Sequence, residues 1–125
     1  MKLFIVFLSL LTIFSMLIVY TADMNAYIQD QKLLKMLSED CAEAGALTID
    51  EKSEKIDKDK AYEAASELLY SSLLFPKDSV SIESSAVTEE GRGFEICLSL
   101  KKKDWFRLPF IDIFEIRSLS EYVWE

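Results

Sequence analysis

From Leu3 to Ala22 the chain is apolar at nearly every position, LFIVFLSLLTIFSMLIVYTA, with no charged residue, glycine or proline. At a helical rise of about 1.5 Å per residue, about 20 such residues match a hydrocarbon core of about 30 Å. Its Leu, Ile, Phe and Val side chains favour insertion by roughly 0.3–0.6 kcal/mol each, or about 4–8 kcal/mol together. Ser9, Thr12 and Ser15 cost little, because each hydroxyl can bond back to the preceding helical turn. The pattern predicts a membrane-spanning helix over residues 3–22. A cleaved signal peptide would want a shorter apolar run and a small residue ahead of the cut, whereas a cut after Ala22 meets Tyr20 there. The expectation is therefore an uncleaved anchor.

Beyond Ala22 polar residues enter, but no helix breaker does. Tyr20, Met24, Tyr27, Gln31, Leu34, Cys41 and Gly45 follow three- and four-residue steps, with Ser38 the polar member between. One helix is expected from Leu3 to about Ala46, residues 23–47 forming its polar extension. Its stripe (Met24, Tyr27, Leu34, Leu37, Cys41) must be covered by the downstream domain or by another subunit. Cys41, Ala42, Ala44, Gly45 and Ala46 form a small-residue patch that lets a second backbone come close. Gly45 also suits a helix stop.

Residues 48–60, TIDEKSEKIDKDK, read as a charged linker without a core. An EF-hand loop started at Asp50 would put Lys55 where a glycine is needed, so the calcium reading fails. Asp57 or Asp59 can cap an amphipathic helix, AYEAASELLYSSLLF, whose apolar face is Ala61, Ala65, Leu68, Leu69 and Leu73, and Pro76 ends it. The period then changes to two. Val80, Ile82, Ser84 and Ala86 alternate with polar residues, TEEGRG supplies a glycine turn, and Phe94, Ile96, Leu98 and Leu100 alternate with Glu95, Cys97 and Ser99. This is an antiparallel hairpin, and Ile113 to Ser120 fits a third strand beside it. The predicted fold is α+β: a transmembrane helix continuing into a long helix, a second amphipathic helix, and a small antiparallel sheet of about three strands. Residues 61–125 form the head.

The C-terminal segment is rich in aromatics. Trp105, Phe106 and Phe110 are candidates for contact with a membrane or a ligand, since Trp and Phe favour the lipid interface; the competing reading makes them filler for a small core.

Composition narrows the function. The 125 residues carry 14 basic and 22 acidic side chains, a net charge of −8, which disfavours nucleic acid as a partner. There is no histidine, so the usual Ser–His, Cys–His and metal-triad chemistries are unavailable. No phosphate-binding glycine loop appears. The expectation is a non-enzyme with no cofactor and no metal. Cys97 falls on the polar face of its strand while a helical Cys41 packs against apolar residues, which argues against a disulfide between them. Lys2 before the apolar run and Asp23 after it place the N-terminus in the cytoplasm and the bulk of the chain outside.

The segment order carries a resemblance. An N-terminal membrane helix leads to the patch C-A-E-A-G-A, then to D-K-D-K-A-Y-E-A-A-S-E-L-L, to L-P-F-I and to I-R-S-L-S-E-Y. This resembles the TadE/TadG-like proteins, minor pseudopilin-type subunits of Tad (tight adherence, Flp) pili. The resemblance implies a structural subunit of an envelope pilus or secretion assembly, partnered by the membrane and by other subunits of that assembly. Val6, Phe7 and Leu8 stand where processed members have a peptidase site, and the apolar run holds no glutamate. The mature chain is accordingly expected to begin at or near Met1. On the subunit reading the interaction surface is expected at Met24, Tyr27, Leu34, Leu37, Cys41, Ala42, Ala44 and Gly45. The reading from a different class is a stand-alone anchored module whose aromatic segment binds a wall, peptide or lipid ligand.

Overall fold

The computed structural model describes residues 1–125 other than 73, 74, 76, 77, 103, 104, 109, 110, 112 and 125. Its elements are α1 (Lys2–Ala46), α2 (Lys58–Ser71), β1 (Val80–Val87), β2 (Gly93–Lys101) and β3 (Glu115–Val123), an α+β fold with a three-stranded antiparallel sheet in the order β1-β2-β3. Two compact units form, cut differently from the predicted segments. One holds residues 1–30 and 102–114; the other holds 31–101 and 115–125.

In the second unit, the head, β2 is the central strand. Phe94, Ile96, Leu98 and Leu100 all point to its buried face, as alternation predicts. β1 departs from prediction. A register shift between Ile82 and Ser84 reverses the pleat, so Val80 and Ile82 face inward but Ser84 and Ala86 are exposed, while Ser85 and Val87 turn in. β3 begins two residues later than expected and runs to Val123, leaving Ile113 exposed outside it.

The hairpin turn uses its glycines differently from each other. Gly91 adopts φ 76°, the left-handed region that favours glycine, and its N–H donates to the Thr88 carbonyl at 2.8 Å. Gly93 needs no unusual φ; a Cβ there would lie 2.6 Å from Thr88 Cγ2.

Asp57 is the cap of α2, its Oδ1 accepting the Asp59 N–H at 3.1 Å. The helix stops at Ser71, where the Ser72 N–H closes on the Leu68 and Leu69 carbonyls, earlier than a proline stop would place it. Leu73 and Pro76 lie outside the described residues. Ala61, Ala65 and Leu69 form the buried face of α2, which lies beside β1. The predicted linker is not without a core. Ile56 is buried and its N–H donates to the Gly91 carbonyl at 2.7 Å, while Asp50 and Lys55 pair as an isolated bridge.

The first unit combines the lower part of α1 with a strap of chain, residues 102–114. Along that helix Ser9, Thr12, Ser15 and Thr21 each donate to the carbonyl four residues back at 2.8–2.9 Å, as the low cost of these hydroxyls requires. The side chains from Leu3 to Ile18 are exposed, and α1 is long and apolar enough to cross a membrane, with mean hydropathy 2.6 over its best 18-residue window.

Candidate functional site

The expected interaction stripe divides between the two units. In the head, Leu34, Leu37, Cys41, Ala42 and Gly45 are buried by the chain's own sheet and second helix. Gly45 is not a helix stop. It sits inside α1, and a Cβ would lie 2.4 Å from Phe94 Cδ1, so its missing side chain is what admits the Phe94 ring. Cys41 Sγ donates to the Ala65 carbonyl at 3.7 Å, which brings the backbone of α2 against the same patch. The close neighbours that the small residues invite are thus Phe94 and α2. Ser38, the polar member of the stripe, donates to the Lys35 carbonyl at 2.8 Å and meets the hydroxyls of Ser118 at 2.9 Å and Ser120 at 2.6 Å on β3, so its hydroxyl is fully partnered. At the top of α1 the Trp124 indole N–H donates to the Ala46 carbonyl at 2.8 Å and Thr48 Oγ1 donates to the Gly45 carbonyl at 2.7 Å, each adding to a backbone bond, from Ile49 and Thr48. These residues are therefore unavailable to another subunit while the head is folded. Ala44 is half-buried.

In the first unit, the strap grips α1 just past its apolar run. Asp23 is buried, and its two oxygens accept three N–H groups of one residue: the Arg107 backbone N–H at 3.1 Å, Nε at 3.1 Å and a terminal guanidinium nitrogen at 3.0 Å. The backbone bond to Arg107 holds the Asp23 carboxyl below its ordinary pKa, helped by the guanidinium bonds and opposed by burial. One turn up, the Tyr27 ring meets Trp105 edge-on at 5.4 Å and tilts against Phe106 at 5.5 Å; Phe106 also reaches Tyr20 at 6.4 Å. Further up, Asp30 accepts the Trp105 indole N–H at 2.6 Å and pairs with Lys102 at 3.7 Å. Lys102 N–H in turn donates to the Phe114 carbonyl at 3.0 Å and closes the strap's base.

This clasp corrects the reading of Trp105 and Phe106 as membrane or ligand contacts. Both are buried, at 2% and 8% exposure, against the helix. Phe110 lies outside the described residues. Met24 is half-buried, and Tyr27 is spent on the clasp. Sequence reasoning missed Asp23, Asp30 and Arg107. The only available signal was that a lone acid directly follows an apolar run, which had been read for orientation instead.

The outer face of the sheet carries a charged network. Arg117 bridges Glu83 at 3.1 Å and Glu115 at 3.2 Å, and Ser99 Oγ donates to Glu115 at 2.8 Å. The Ser99 bond, then Arg117, lowers the Glu115 pKa. Cys97 lies on this face, its Sγ 3.6 Å from Glu83, while Cys41 faces the core, so both thiols are free. Burial, with the Asp40 charge adding, pushes the Cys41 thiol up to about 11; burial and then Glu83 raise Cys97. Neither has the lowered pKa of a reactive nucleophile. Among the described residues no group of His, Cys, Asp or Glu is arranged to hold a metal.

What the clasp can do is mechanical: among the described residues it ties the strap to α1 between Tyr20 and Asp30 through two ion pairs, one indole bond and three ring contacts. Comparison with protein-family models, curated proteins and solved structures finds no match to this chain.

Proposed function

We propose that this chain is a single-pass, membrane-anchored structural subunit of an envelope pilus or secretion assembly, pseudopilin-like in design, that acts by helix packing and not by catalysis. One observation carries the reading. Within one helix, the stripe of the upper part is consumed by the chain's own head, whereas the side chains from Leu3 to Ile18 stay exposed among the described residues. A helix of that kind uses its free apolar length on lipid and on other apolar helices. The partner surface moves accordingly: residues 3–22 take the role that the stripe from Leu34 to Gly45 was expected to play. The segment order shared with TadE/TadG-like proteins supports the same assignment, and Lys2 against Asp23 supports a cytoplasmic N-terminus with the head outside.

The test is crosslinking in native membranes from single-cysteine variants, with Cys97→Ser and the buried Cys41 left in place. Positions along 3–22 should link to other subunits at a helical period, and Leu34, Leu37 and Ala42 positions should not. A span that links to no other protein would remove the assembly role and leave an anchored monomer.

A further inference from the structure

The tip of the strap has no function in the clasp itself. The strap descends along α1: Lys102 and Trp105 are held at Asp30, Phe106 reaches Tyr20, and Arg107 is fixed on Asp23. At about 1.5 Å per residue, the path from Asp30 to Asp23 covers about 10 Å of helix and ends just past the apolar run. Just beyond Arg107, the Ile111 N–H donates to the Leu108 carbonyl at 3.2 Å. The turn therefore lies at the level of Asp23, the first charged residue after the run. Its described residues, Leu108 and Ile111, are apolar and only half-buried. Beside it the Arg107 side chain is 65% exposed even while bound to Asp23, and the Tyr20 ring is 40% exposed.

We infer that this tip, carried by Leu108 and Ile111, is a second membrane contact: it sits in the headgroup layer with its apolar side chains on the acyl boundary and Arg107 among the phosphates. The inference rests on the reading of α1 as a membrane anchor. Two apolar side chains beside an exposed arginine and a tyrosine ring are the composition that settles at the boundary between hydrocarbon and water. The headgroup layer spans only about 5–8 Å on each side of the core, and the turn's level falls within it. Asp23 acquires a purpose on this view. A carboxylate at the end of an apolar helix is costly beside lipid unless paired, and the pairing with Arg107 also sets the depth of the strap. The clasp and the tip thus form one device that fixes how deep α1 sits and limits its rotation about its own axis.

The experiment uses the full chain carrying Cys97→Ser, reconstituted in phosphatidylcholine vesicles, with an environment-sensitive fluorophore on a single added cysteine. Four positions are compared: Leu11, Leu108, Ile111 and Glu121. Lipids doxyl-labelled high on the acyl chain should quench the probes at Leu108 and Ile111 more than lipids labelled deep do, the reverse should hold at Leu11, and neither should affect Glu121. Quenching at Leu11 without quenching at Leu108 and Ile111 would overturn the tip contact and leave the anchor standing. No quenching at any position would overturn the anchor reading itself. A blue-shifted but unquenched probe at Leu108 would put the tip against protein, such as a second copy, and would also overturn the inference. If a probe at either tip position disturbs the turn, Leu108→Ser with the probe at Arg92 provides a check on head folding, and the remaining tip position still reads depth.

Discussion

One helix is held in two ways. Near Ala46, α1 is held by shape: Gly45 receives the Phe94 ring, Cys41 meets the Ala65 carbonyl, and Leu34 and Leu37 are buried. Near Asp23 it is held by chemistry, through a carboxylate wrapped by Arg107, an indole bonded to Asp30, and aromatic rings around Tyr27. The first grip gains mainly from apolar burial, worth roughly 2 kcal/mol for each fully buried leucine. It is insensitive to pH and intolerant of added atoms. The second depends on directed polar bonds, chiefly those that Arg107 makes to the buried Asp23 carboxylate. It should tolerate conservative changes of size and respond to charge.

Three experiments separate the grips, from the largest expected effect to the smallest. Trp105→Ala removes a ring of 2% exposure and the bond to Asp30, so undocking of the strap should become easier by about 3–5 kcal/mol. Limited trypsin cleavage after Arg107 should accelerate sharply, while the urea midpoint of the head, whose core uses other residues, hardly moves. Co-loss of the head would mean that the two grips are one cooperative structure.

Gly45→Leu should act the other way round, destabilising the head by about 1–3 kcal/mol through overpacking against Phe94, with no effect on trypsin cleavage of the strap. Ala44→Leu, one position away but half-buried, should cost less than about 1 kcal/mol. Equal costs in urea unfolding would show that shape at Gly45 is not what matters.

The smallest effect concerns acid. The Asp23 pKa is lowered in the folded chain, chiefly by the Arg107 backbone bond. A lowered carboxyl pKa contributes stability that is complete above its unfolded value of about 4 and is lost as pH falls through the folded value. Trp105 emission, followed in a Trp124→Phe background, should be flat from neutral pH down to about 4 and change below it. In Asp23→Asn that transition should shrink. An unchanged acid transition would assign it to other carboxylates.

Much of the fold could be read from local pattern because local pattern causes it. The three- and four-residue steps from Tyr20 to Gly45 mark a helix, the alternation of Phe94, Ile96, Leu98 and Leu100 marks one face of a strand, and both elements are present. Pattern failed where a partner distant in sequence decides the outcome. Nothing near Asp23 announces Arg107, and nothing near Gly45 announces Phe94, so the glycine looked like a terminator and the carboxylate like a boundary marker. The turn of the pleat at Glu83 was hidden for a related reason: serine, alanine and glutamate around it fit either face. For the same reason the aromatic segment leaves two readings open for Trp105 and Phe106, surface contact or core filler, and their burial against α1 decides for the interior.

The pleat reversal at Glu83 has a consequence for the protein as one molecule among many. β1 is an outer strand of its sheet, and an outer strand's backbone groups can template the addition of a strand from a neighbour. The extra residue between Ile82 and Ser84 breaks that template into two short pieces with opposite facing and adds local twist. Glu83, placed at the break and tied to Arg117, adds a charge that a docking strand would have to bury. Crowded side by side, heads of this kind are protected along β1 from fusing into a continuous, fibre-like sheet.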